Sequence, residues 1–221
     1  IGANTAIFTL IDNLMLKSLP VKDPRELVIL SDPEAPDEGA QFSYPAYTEL
    51  RDRNQVLTGL AARMQRVMTA GETSVADWIL GEYVSGNYFS VLGVNASLGR
   101  TITPEDDVVP GNRVAVLSDA FWRRRYAADP GVLGRTILIY GQPFIIVGVT
   151  PPEFFGVGVG FSPDVRLPLA IMAAVGEGNR SLSNDATSEE LQLFGRLRPN
   201  VSRQQAEASL AVLFRQIRQQ H

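Results

Sequence analysis

Apolar positions change their period several times along this chain, and each change marks an element. The densest stretch runs from Val114 to Val149. VAVL at 114–117 is apolar, rich in β-branched residues and too short for a helix, which predicts a strand buried on both faces. Ser118 can accept from the free amides of the next turn, so AFWRRRYAA is expected as a capped helix with Phe121, Trp122 and Tyr126 on one side. Asp129-Pro130-Gly131 then stops it. Arg135 to Tyr140 and Pro143 to Val149, joined at Gly141-Gln142, have the spacing of a β-hairpin. Their arms carry Ile137, Leu138, Ile139, Phe144, Ile145, Ile146 and Val147, so little of either face is left for solvent and another layer should cover them.

The same reading extends outward from that unit. Leu27 to Leu30 predicts a short strand, followed by SDPEAPDEGAQ, whose irregularly spaced carboxylates fit a solvated loop better than a metal site. Ser43 caps a helix through Tyr47 and Leu50 to about Arg53, with Pro45 in its first turn. Leu60 to Thr69 and Val75 to Val84 predict two strands around AGETS, the second with Trp78, Leu80 and Val84 on one face and Ile79 and Tyr83 on the other. Ser85 is expected to cap a short helix carrying Tyr88, Phe89, Val91 and Leu92, ended by Gly93. Thr103-Pro104-Glu105-Asp106 fits a helix start with an acidic first turn, in preference to a metal site at Glu105, Asp106 and Asp107. Val165 to Leu169 is a further strand candidate, and residues 177–190 are polar and mobile-looking. Leu191 to Leu197 alternates as a half-buried strand. After it, a capping box at Ser202 and Gln205 opens a helix with the apolar stripe Ala206, Leu210, Leu213, Phe214 and Ile217.

Two stretches admit more than one reading. Thr5 to Leu16 places Ile7, Phe8, Ile11, Leu14 and Met15 at helical spacing but is shorter than the roughly 20 residues a bilayer requires. It is either an amphipathic core helix or the outer end of a transmembrane helix, with Lys17 and Pro20 marking the exit. Pro151 to Pro163, PPEFFGVGVGFSP, has glycines that miss the dinucleotide fingerprint and lacks the Lys-Ser or Lys-Thr of a phosphate loop. It reads as a surface or interface loop, with Phe154, Phe155 and Phe161 as candidates for partner contact.

Composition narrows the function classes. A chain of 221 residues with net charge −4 carries no electrostatic footprint for nucleic acid. The run Arg123-Arg124-Arg125 points in different directions around a helix and reads as a solvated face. There is no cysteine, which excludes disulfides, thiol catalysis and cysteine-ligated metals, and the single histidine is His221. No hydroxyl is placed beside a base, and G-x-S-x-G and S-x-x-K are absent. The sequence therefore assigns no catalytic, cofactor or metal residue, and an enzyme is the least supported class. Asn95-Ala96-Ser97 and Asn200-Val201-Ser202 match glycosylation sequons, a pattern common by chance.

Four stretches, IGANTAIFTLIDNLMLKSLP, VSGNYFSVLGVNASLGRTITPEDD, VAVLSDAFWRRRYAADPGVLGRTILIYGQPFIIVGVTPPEF and LFGRLRPNVSRQQAEASL, together resemble the MacB-like periplasmic core domain of FtsX-like ABC transporter permeases. The resemblance implies an α+β fold of two subdomains: a porter-like βαβ subdomain from both chain ends, residues 17–85 and 165–221, and an inserted mixed α/β subdomain, residues 86–164. Residues 1–16 would be the tail of a transmembrane or stalk helix. It further implies a domain on the periplasmic side of the bacterial cytoplasmic membrane, joined to transmembrane helices of the full-length chain and homodimeric in the full complex. Its partners would be a cytoplasmic ATPase, on the same chain or a separate subunit, and a periplasmic adaptor protein. The function implied is mechanical coupling of ATP hydrolysis to export or extraction of a substrate. The alternative is an extracytoplasmic binding or regulatory module that recruits a cell-wall enzyme.

Overall fold

The computed structural model describes residues 9–11, 21–31, 41–71, 76–157, 162–172 and 190–220. The acidic loop after Ser31, residues 72–74 of the AGETS turn, Phe161, most of the polar stretch 177–190 and His221 fall outside the described residues, as does all of Thr5 to Leu16 except Thr9–Ile11. The fold is α+β. Its strands, numbered in chain order, are β1 Thr9–Ile11, β2 Leu27–Ser31, β3 Gln41–Phe42, β4 Leu57–Ala70, β5 Asp77–Val84, β6 Leu98–Gly99, β7 Val114–Leu117, β8 Thr136–Ile139, β9 Gln142–Val149, β10 Val165–Pro168 and β11 Leu191–Leu197. The helices are α1 Tyr44–Arg53, α2 Tyr88–Leu92, α3 Asp119–Tyr126 and α4 Arg203–Gln220.

The chain divides into two compact units, one of Ile1–Ser18, Asp23–Ala62 and Ser183–His221, the other of Leu19–Lys22 and Arg63–Leu182. By compactness, residues 63–85 and 165–182 thus go with the middle of the chain, whereas the sequence reading grouped 17–85 and 165–221 with the chain ends. Strand pairing is the reason: β10 lies parallel to β5 on one side and antiparallel to β7 on the other, tying residues near 80 and 165 to those near 115.

In the first unit β2 is antiparallel to both β1 and β11, and β3 also pairs β11. Thr9–Ile11 is therefore strand where the apolar spacing predicted helix; its backbone pairs residue for residue with Ile29–Ser31, and long-range pairing overrides a weak local period. Helices α1 and α4 pack together. Ser43 accepts from the Ala46 amide at 3.3 Å, and Pro45 sits where its missing N–H costs nothing. The capping box of α4 is present, the Gln205 amide donating to Ser202 Oγ at 3.2 Å and Gln205 Oε1 accepting from the Ser202 amide at 2.9 Å. Leu30, Phe42, Tyr47, Leu50, Leu60, Leu193, Phe194, Leu210, Phe214 and Ile217 form this core. Phe42 meets Phe214 edge-on at 5.3 Å between ring centroids.

The second unit closes on itself. Strand order β4-β5-β10-β7-β9 returns through β8, which pairs β9 along its length and β4 at Ala70↔Ile139. The seam is reinforced where the Tyr140 amide donates to the Thr69 carbonyl at 3.0 Å and the Gly71 amide to Leu138 at 3.0 Å. Met64, Met68, Ala70, Ile79, Tyr83, Ala115, Leu117, Ile137, Ile139, Phe144, Ile146, Val165 and Leu167 are buried, and the registers put them on the inner face. A Cβ on Gly81 would collide with the Met68 thioether, so glycine there makes room for methionine inside the barrel. The β8–β9 turn is Tyr140-Gly141, both at positive φ, 50° and 71°, one residue earlier than expected and of the kind that matches strand twist. One hairpin face is not covered: Thr136 and Ile145, opposite one another, are both exposed.

Local details refine two other expectations. Ser118 caps α3 as read, accepting from the Phe121 amide at 3.2 Å, but the helix ends at Tyr126 with Ala127 left-handed, before Asp129-Pro130-Gly131 is reached. Ser85 does not cap α2; its hydroxyl bonds the Asn87 side chain while its carbonyl accepts from the Tyr88 amide. Asn87 takes the cap position, and left-handed Gly93 ends the helix.

Replacing Phe214 by Ala should remove about 3–5 kcal/mol from the first unit, a large buried side chain lost together with its edge-on partner. Val212→Ala, on the exposed side of the same helix, should cost about 0.5 kcal/mol or less. Urea unfolding followed by circular dichroism checks both, since Trp78 and Trp122 lie in the other unit and do not report on it.

Candidate functional site

Residues that read as outward-facing on barrel strands converge on one buried cluster. Glu82 on β5 and Arg166 on β10 are neighbours in the parallel register, and both are fully buried. Gln65 on β4 lies directly opposite Glu82, and Arg63 is one alternation further along the same face. Glu82 Oε1 accepts from Arg63 Nη1 at 3.0 Å. Its Oε2 accepts from Arg166 Nε at 3.0 Å and from the Tyr88 hydroxyl at 3.3 Å. Two guanidiniums therefore share one carboxylate.

The cover over this row comes from α2 and from the segment after β9. Tyr88 and Phe89 pack edge-on at 5.1 Å, and Phe154 tilts against Phe89 at 6.2 Å. The Phe154 ring lies 4.9 Å from Arg166 Cζ, a cation–π contact inside the protein. Gly156 follows at φ 104°, and a Cβ there would stand 2.9 Å from Arg166 Nη2, so both backbone shape and proximity require glycine. Burial, then the Glu82 charge, pushes the Tyr88 phenol well above its ordinary value.

The groups singled out in the sequence lie elsewhere. Asp106 accepts from the Thr103 amide at 3.0 Å and pairs with Arg100, which ties it back to the N-cap residue of a single 3-10 turn, Pro104–Asp107. Burial works to raise its pKa, but the Arg100 hydrogen bonds and the Thr103 amide outweigh it and hold the carboxyl below the usual range. Asp107 is spent on the amides of Gly86 and Ala170, at 2.8 and 2.6 Å. Arg123, Arg124 and Arg125 diverge to Asp119, Asp164 and Asp77. Phe154, expected as a partner contact, is buried against Phe89 and Arg166, whereas Phe155 is exposed. Trp78 and Val67 stand exposed on the outer face of β5 and β4. Among the described residues no three His, Asp or Glu converge to hold a metal ion.

Glu82 and Arg166 were not legible as a pair, because a single charge in an alternating strand reads as solvent-facing. Their one signal is opposite sign, each the lone charge of a short run, GEYV and VRLP. The arrangement holds charge rather than moving it: every Glu82 oxygen is occupied and no nucleophile adjoins it. Glu82→Gln should destabilise the second unit by about 3–5 kcal/mol, since it leaves buried guanidiniums without a counter-charge. Tryptophan fluorescence during urea unfolding reads that loss. An acid whose pKa is higher folded than unfolded contributes stability below its unfolded value near 10 and loses it as the pH rises further. Stability of the native chain should thus fall above pH 10, by up to about 1.4 kcal/mol per pH unit from this group, and Tyr88→Phe should remove that share of the slope.

Comparison with known proteins matches this architecture. The MacB-like periplasmic core domain family matches residues 1–213. A macrolide export ATP-binding/permease protein, MacB, of Aggregatibacter actinomycetemcomitans is 32% identical over 85 residues, which are 38% of this chain and 13% of that protein. The chain thus spans a small fraction of that relative's length. The periplasmic region of MacB from Actinobacillus actinomycetemcomitans superposes with a TM-score of 0.61 at 16% identity, over 83% of this chain and 78% of that one. The extracellular domain of the noncanonic ABC-type transporter YknZ from Gram-positive bacteria gives 0.59 at 16% identity, over 81% and 85%. No helix among the described residues is long and apolar enough to cross a membrane. With the family matched over nearly its whole length and the fold shared with two of its periplasmic or extracellular regions, the chain belongs to the MacB-like periplasmic core domains of ABC transporter permeases.

Proposed function

We propose that this domain is the extracytoplasmic moving part of a permease, transmitting cytoplasmic ATP hydrolysis to the export or extraction of a substrate. The observation that carries the reading is topological: residues 1–18 and 183–221 belong to one compact unit, so a displacement delivered at either end enters the same body. In this reading residues 17–85 and 165–221 form the porter-like part and 86–164 the insertion. Transmembrane helices of the full-length chain deliver the motion, and the ATPase lies in a cytoplasmic domain or subunit. A homodimer and a periplasmic adaptor complete the assembly. The domain itself does no chemistry; the charge cluster of Arg63, Glu82 and Arg166 stiffens the second compact unit.

The exposed Trp78 and Val67 favour contact with another protein, which keeps a second reading, recruitment of a cell-wall hydrolase, in play. Pull-down with the isolated domain separates the two: an adaptor supports export, a stoichiometric hydrolase supports signalling. In the full-length permease reconstituted with its ATPase, Phe8→Asp or Ile11→Asp should leave ATP hydrolysis running while transport is lost. The isolated domain should still fold by circular dichroism. Transport that stays coupled to hydrolysis in both variants would overturn the mechanical reading.

A further inference from the structure

Buried polar groups almost always find partners, so a concentration of orphans has a cause. Among the described residues the unpartnered buried side-chain atoms are Ser31 Oγ, Gln65 Nε2, Thr150 Oγ1 and both terminal nitrogens of Arg166. Apart from Ser31 these lie in the second unit. Gln65 faces Glu82 across β4–β5, Arg166 lies beneath Phe154, and Thr150 is the root from which the Pro151–Val157 segment leaves β9. Arg63, Glu82 and Arg166 together carry one positive charge in excess, and the terminal nitrogens of Arg166 make no hydrogen bond.

We propose that Pro151–Val157 is a cover poised to lift from the barrel, its closed state strained by the dry guanidinium beneath it. Closure buries Phe154 and Val157, which holds the segment down. Closure also keeps water from Arg166 Nη1 and Nη2, which opposes it. The segment's backbone bond from the Phe154 amide to the Pro151 carbonyl, at 3.0 Å, is internal and ties nothing to the barrel. At the root the Thr150 amide donates to the Leu117 carbonyl at 2.9 Å, which makes Thr150 the hinge. Phe155, exposed on the outer side, moves with the cover. Opening is thereby a local event, distinct from unfolding of the barrel.

Arg166→Met removes the dry nitrogens and the excess charge while leaving Glu82 paired with Arg63 and Tyr88, and methionine still packs on Phe154. Hydrogen exchange on the 221-residue chain reads the opening. The Phe154 amide should exchange roughly tenfold or more faster than the barrel amides of Ile145 and Thr150, and Arg166→Met should slow it by about tenfold while the barrel amides are unchanged. Exchange of Phe154 in step with the barrel, or a rate that Arg166→Met leaves unchanged or raises, overturns the proposal. The chain has no cysteine, so a thiol introduced by Val157→Cys gives a second measurement with Arg166 intact. It should be labelled roughly tenfold or more faster than one introduced by Leu117→Cys, and equal rates overturn the proposal.

Discussion

One carboxylate held between two arginines organises the second unit. Glu82 is the point at which β4, β5 and β10 are tied by side chains as well as by backbone, and Tyr88 brings α2 to the same oxygen. Burying such a group is costly unless every lone pair is engaged, and here the oxygens are engaged from three elements. The interaction therefore specifies which strands adjoin more than it stabilises them. An apolar substitute could fill the volume but would not distinguish β10 from another strand of similar length.

The barrel and the first unit show contrasting ways of burying apolar surface. In the first, two helices cover a sheet, and the stripe on α4 supplies Ala206, Leu210, Phe214 and Ile217 to the core. In the second, the strands curl until their inner residues meet one another, which dispenses with a covering layer on that side. This explains why the β8–β9 hairpin, apolar on both faces in sequence, needs cover on one face only. Ile145 remains in solvent because closure has already satisfied its neighbours.

Much of the fold was legible because local chemistry announced it. Ser43, Ser118 and the Ser202–Gln205 box each mark a helix start the structure contains, and the short apolar runs at 27, 114 and 191 are strands. What escaped were facts settled at long range. Nothing local in TLI predicts strand, since its backbone partner is some twenty residues away at Ile29–Ser31. Glu82 and Arg166 are separated by eighty-four positions and meet only through the parallel register of β5 and β10. Phe154 looked like a contact residue because glycines follow it; it is buried against Arg166, which comes from another strand.

The turn at Tyr140-Gly141 has a consequence for how the barrel stays shut. A pair of left-handed residues there would be served most comfortably by Asn-Gly, yet the first position is a tyrosine at φ 50°. Its hydroxyl reaches across to the Val67 carbonyl at 2.9 Å, while its own amide meets Thr69. The backbone thus accepts an awkward residue at the bend so that one side chain can clasp the opposite rim. A sequence chosen for ideal turn chemistry alone would relax the bend and unfasten the cylinder.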